Sequence, residues 1–131
     1  MIFGVGTDLA NIQRFESLLA RFGERFVAKV LAPSEVDGFK LAVDPARYLA
    51  KRFAAKEAFA KALGTGLRSP VLLNHLAVEH DGLGRPSMRF DRPIAELLSQ
   101  LGAGRVHLSL SDDAGLALAF VTIELKREIS C

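Results

Sequence analysis

The chain has 131 residues, half of them hydrophobic and 24% charged, enough for one domain with a core and too little for two comfortable ones. A formal charge of +2 does not force general polyanion binding, so any basic patch has to be local. The single cysteine, Cys131, the polar residues directly after Met1 to Asp8, and an apolar run (Leu116 to Ile123) far too short for a bilayer point to a cytoplasmic protein without internal disulfides.

Ile2, Phe3 and Val5 with two glycines read as a short buried strand ending in Thr7-Asp8. Asp8 then stands at a site rim or caps the following helix. From Asn11 to about Lys29, Ile12, Phe15, Leu19, Phe22 and Phe26 recur at helical spacing and predict one long helix with these on its core face. On that helix Arg14, Arg21 and Arg25 fall within about 20° of one another. They form either a solvated face or a docking strip for an acidic partner. Ala32-Pro33-Ser34-Glu35 breaks the helix and begins a shorter one to about Leu41.

The stretch Asp44 to Gly66, DPARYLAKRFAAKEAFAKALGTG, carries both ends of a helix. Asp44 suits the cap, Pro45 the first helical position, and Gly64 the last turn. Tyr48, Leu49, Phe53, Phe59, Ala60 and Leu63 make one apolar face. Ala46, Ala50, Ala54, Ala58 and Ala62 make a ridge of small residues that another backbone can approach closely. Arg52 and Lys56 project from within the apolar face, with Glu57 and Lys61 at its margin. Buried charges are costly unless paired, so this helix needs partners the local sequence does not show.

Gly64-Thr65-Gly66 then forms a loop that either presents amides to phosphate or simply closes the helix. Leu76 to His80 and Pro86 to Phe90 flank a turn and read as a hairpin, and Arg92 to Gln100 as an amphipathic helix. His107 to Ser111 alternates as a strand with His107, Ser109 and Ser111 on one face. Asp112 to Gly115 is a turn, and Leu116 to Leu125 a final strand. Helices first and antiparallel strands later predict an α+β fold in a single domain over 1–131.

No zinc spacing, Walker loop or dinucleotide fingerprint is present. Ser109 and His107 lack a nucleophile elbow, and His75 and His80 have no distinguishing neighbours. What remains is two carboxylates, Asp8 and Glu57, with cations and strand hydroxyls. Two carboxylates suit magnesium, which keeps waters and phosphate oxygens as its other ligands. Cations around such a metal suit phosphate-ester or pyrophosphate chemistry.

The segment RFAAKEAFAKALGTG, Arg52 to Gly66, closely resembles the signature helix of bacterial holo-[acyl-carrier-protein] synthases, the short class of 4'-phosphopantetheinyl transferases. GVGTDLANIQRF (Gly4 to Phe15), the GRP turn (Gly84 to Pro86) and HLSLSDD (His107 to Asp113) match in order, so the resemblance runs nearly end to end. It implies a 4'-phosphopantetheinyl transferase-like fold and transfer of the phosphopantetheine arm of coenzyme A to a serine of apo acyl carrier protein, supporting fatty acid biosynthesis. Asp8 and Glu57 match the family's Mg²⁺ ligands, and Lys61 a lysine that stabilises the transferring phosphate or helps move the serine proton. Arg52, Lys56, Gly64, Thr65, Gly66, Gly84, Arg85, Pro86, His107, Ser109 and Ser111 match positions around coenzyme A. The resemblance further implies a homotrimer with sites between protomers, and docking of the acidic carrier protein on Arg14, Arg21 and Arg25. Arg85 stands where many members have lysine, and Asp112 where some have histidine or alanine. Nucleic acid and membrane are not expected partners.

Overall fold

A computed structural model describes residues 1–127, so Cys131 lies outside the described residues. β1 (Ile2–Asn11) leads into α1 (Ile12–Phe22), α2 (Glu24–Val30), a 3₁₀ turn at Pro33–Glu35 and α3 (Val36–Leu41). The long α4 (Pro45–Leu63) follows, then the hairpin β2 (Leu76–His80) and β3 (Pro86–Phe90), α5 (Arg92–Leu101), β4 (Ala103–Asp113) and β5 (Leu116–Leu125). The class is α+β, as expected.

The main sheet is antiparallel in the order β1-β5-β4, with α4 laid across β1 and β5. Every second residue of the sheet faces that helix: Gly6 and Ala10 on β1, and Ala117, Ala119, Val121 and Ile123 on β5, are buried. The alanine ridge makes the contact. Ala50, Ala54 and Ala58 are fully buried, and Ala46 and Ala62 nearly so. A Cβ at Gly6 would sit 2.0 Å from the Ala58 carbonyl oxygen, and one at Gly4 1.8 Å from that of Ala62. Glycines on the strand and alanines on the helix therefore let the two backbones touch. Both ends of α4 form as the sequence predicts: the Asp44 Oδ1 accepts from the Arg47 amide at 3.1 Å, and Gly64 closes the last turn.

Three boundaries depart from expectation. β1 runs on to Asn11, so Asp8 lies within the strand and the α1 cap is Asn11, whose side chain accepts from the Gln13 and Arg14 amides. The long first helix is broken at Gly23, which has φ +56° and separates α1 from α2. Arg25 is therefore not on the helix that carries Arg14 and Arg21. Finally, β4 begins at Ala103 and runs through Asp113, leaving only Ala114 and Gly115, both at positive φ, as the turn to β5.

Candidate active site

Strand alternation turns Asp8 inward, toward α4, where Glu57 and Lys61 are one helical turn apart. Lys61 Nζ donates to Asp8 Oδ1 at 3.1 Å and to the Thr7 carbonyl at 3.0 Å. Asp8 Oδ2 is buried and has no hydrogen-bond partner. Burial first, then the charge of Asp8, holds the Glu57 carboxyl above its ordinary value, with Lys61 pulling the other way. An orphaned carboxylate oxygen facing a second carboxylate that resists ionisation is an arrangement a cation would relieve. Among the described residues no group of three or more His, Cys, Asp or Glu gathers. The donor set is thus a carboxylate pair, which fits a hard divalent cation completed by water and phosphate oxygens.

The cations within the α4 apolar face do have a partner, and it is one the sequence did not reveal. Glu35, 3% exposed, accepts at Oε1 from Lys56 Nζ (2.5 Å) and the Ala32 amide (2.9 Å). Its Oε2 accepts from the Val78 amide at 2.9 Å. Lys56 is fully buried and also donates to the Val30 carbonyl at 2.7 Å. Burial pushes its ammonium down to about 8, against the pull of Glu35. Its charge is spent inside the protein, so it offers no surface to a ligand. Arg52 Nε lies 3.3 Å from Glu35 Oε2 but makes no well-aligned hydrogen bond there. That contact is electrostatic, and the guanidinium stacks on the Tyr48 ring, 3.5 Å from its centroid.

A groove of about 240 Å³ brings Arg85 and Pro86 of the hairpin against His107, with Arg105 as a further cation. Asp81 shapes the turn that presents Arg85: its Oδ1 accepts from the Leu83 and Arg85 amides, both at 2.9 Å. His107 Nε2 is 2.7 Å from Glu124 Oε2. In the loop after α4, the Gly64 and Gly66 amides bond back to the helix, and the Thr65 hydroxyl to the Gly66 carbonyl. Gly84, also at positive φ, sits in the exposed hairpin turn. Arg14 and Arg21 are exposed on α1, while Arg25 borders a groove of about 270 Å³ with Leu18, Phe22, Phe26 and Lys29.

One separation matters for any mechanism. Thr7 pairs with Phe120 and Phe120 with Ser109, and Leu9 pairs with Leu118 and Leu118 with Ser111. His107, Ser109 and Ser111 therefore lie on the outer face of the sheet, opposite the face that carries Asp8. A single chain brings Asp8, Glu57 and Lys61 together but leaves the hydroxyl face of β4 on the far side.

Residues 4–121 match the family described as the 4'-phosphopantetheinyl transferase superfamily. The holo-[acyl-carrier-protein] synthase of Laribacter hongkongensis is 55% identical, over 95% of this chain and 99% of that relative. A crystal structure of the Neisseria meningitidis holo-[acyl-carrier-protein] synthase superposes with a TM-score of 0.91 at 44% identity, covering 95% of this chain and 99% of that one. That of the Helicobacter pylori synthase in complex with coenzyme A gives 0.80 at 28% identity, with 92% and 99% covered.

Proposed function

The chain belongs to the 4'-phosphopantetheinyl transferase superfamily, and from that premise we propose how its own residues serve the transfer. It moves the 4'-phosphopantetheine moiety of coenzyme A to a serine of apo acyl carrier protein and releases adenosine 3',5'-bisphosphate. The observation that carries this reading is the meeting of Asp8 with Glu57 and Lys61, 49 and 53 positions further along the chain, on the residues the resemblance marks.

Asp8 and Glu57 are the residues that would hold Mg²⁺, which when bound would supply electrostatic stabilisation of charge on the leaving group. Lys61 already spends two donors on Asp8 and Thr7. Its side chain is half-exposed, so the third donor is available to an oxygen of the transferring phosphate. Arg85, Pro86 and His107 line the groove for another part of coenzyme A, with Arg52 supplying a cation nearer the helix. The exposed Arg14 and Arg21, with Arg25 beside its groove, suit an acidic carrier protein. Its role in the cell is supply of holo carrier protein for fatty acid biosynthesis, in the cytoplasm; no helix of the described residues is long and apolar enough to cross a membrane.

The working form is a homotrimer of one-domain protomers with sites between them. Two observations support this: the separation of the Asp8 and Ser109 faces within one chain, and the apolar character of the outer face, where Val5, Leu9, Leu118 and Phe120 are between 41% and 62% exposed. Incubating the chain with apo carrier protein, coenzyme A and Mg²⁺, followed by mass spectrometry, should show one phosphopantetheine added per carrier protein. A carrier protein of unchanged mass would leave only a binding module.

A further inference from the structure

Among the described residues Glu35 is the one buried carboxylate, at 3% exposure, and nothing in the transfer reaction as described uses it. Its oxygens join segments distant in sequence: the Ala32 amide before the 3₁₀ turn, Lys56 and Arg52 on α4, and the Val78 amide on β2. Its own backbone carbonyl accepts from the Tyr48 hydroxyl at 2.6 Å. A buried carboxylate with this many donors is a fixed point.

The cluster is not neutral. Glu35 carries one negative charge against Lys56 and Arg52. Lys56 is sealed, with both its acceptors inside the protein. The excess positive charge therefore emerges at Arg52, whose side chain is 11% exposed. Glu35 holds the Nε side of that guanidinium and the Tyr48 ring holds its face. No carboxylate other than Glu35 pairs with that guanidinium among the described residues. Burial first, then the charges of Arg52 and Lys51, keep the His80 ring at the end of β2 below its ordinary value.

We propose that Glu35 is a positioning residue for substrate binding: it clamps Arg52 so that the outer guanidinium donors are pre-set for a phosphate of coenzyme A. This rests on the proposed function. A flexible arginine loses rotamer entropy when it meets an anion, whereas one already locked between a carboxylate and a ring does not. The sealed Lys56 balances Glu35, so that the carboxylate can be buried and still leave Arg52 its attraction for an anion.

The test compares two variants. Lys56→Met removes the sealed cation and leaves Glu35 facing Arg52. Glu35→Gln in that background removes the clamp without stranding the Lys56 charge. The KM for coenzyme A should be about tenfold or more higher in the double variant than in Lys56→Met, as when an outer-shell partner is lost. The KM for carrier protein should move far less. Equal effects on both, or a fall in melting temperature with an unchanged KM for coenzyme A, would reduce Glu35 to a structural role and overturn the proposal. Should either variant fail to fold, NMR relaxation of the Arg52 Nε–Hε group in the unaltered chain decides. A rigid side chain before substrate is added supports the clamp, and a mobile one overturns it. If the unaltered chain neither binds coenzyme A nor transfers from it, the proposed function itself falls, an outcome distinct from an active enzyme indifferent to Glu35.

Discussion

At the scale of single residues, Glu57 shows how position sets both chemistry and stability. Burial and the charge of Asp8 raise its folded value above the ordinary 4.5. Between those two values the folded state binds more protons than the unfolded one, so stability falls as pH rises through that window. Above the folded value the full penalty of an ionised Glu57 is present. Glu57→Gln removes that penalty at neutral pH while removing a carboxylate of the proposed metal site. Without metal, this variant should melt no lower than the unaltered chain at pH 7.5, yet its Mg²⁺-dependent transfer should drop by about a hundredfold or more. Calorimetry and the carrier-protein assay check the two halves. Near-normal turnover at ordinary Mg²⁺ would remove Glu57 from the proposed metal site.

At the scale of elements, the packing of α4 on β1 rests on backbone contact. Gly6→Ala puts a methyl 2.0 Å from the Ala58 carbonyl oxygen and 2.7 Å from the Ala62 amide nitrogen. No side-chain rotation relieves a clash with backbone, so α4 and β1 must part. The expected loss is about 3 kcal/mol in urea unfolding, at the upper end of ordinary overpacking. An unchanged midpoint would mean the helix can shift freely over the strand. Because that shift would also carry Glu57 and Lys61 away from Asp8, the same variant should lose transfer activity even where it still folds.

Much of this was readable in the chain itself. The ends of α4 were legible because cap, proline and glycine each act locally, and the hairpin 76–80/86–90 because turn residues interrupt alternation. The alanine ridge announced close approach, though not that Gly4 and Gly6 are what approaches. Other features depended on distance or on competing signals. Apolar periodicity continues across Gly23, so the break between α1 and α2 was hidden by the residues on either side. Leu9 is 62% exposed where a one-sided strand would be polar, which obscured the continuation of β1 past Asp8. Glu35 meets Lys56 from 21 positions away and Val78 from 43, and no local pattern marks such a partner.

At the scale of the whole molecule, the proposed trimer rests on the outer face of the sheet. An antiparallel sheet with one solvated face normally alternates apolar inside and polar outside. Here Val5, Leu9, Leu118 and Phe120 break that rule on β1 and β5, beside His107, Ser109 and Ser111 on β4. In the proposed trimer, that face would meet neighbouring copies, and each Asp8–Glu57 pair would be completed by a β4 face from another chain. Phe120→Asp places a charge in this apolar contact. It should shift sedimentation from trimer to folded monomer and abolish transfer, although Phe120 touches none of Asp8, Glu57 or Lys61. Complementation tests the shared site directly. A chain carrying Glu57→Gln and one carrying His107→Ala with Ser109→Ala are each inactive on this view. A site formed in a mixed trimer works when its carboxylates come from the second variant and its strand from the first, so equal random mixing should restore about one quarter of the sites. Recovery on mixing supports sites made by two protomers. No recovery from verified mixed trimers, or a stable monomer with full activity, would place the whole site within one chain.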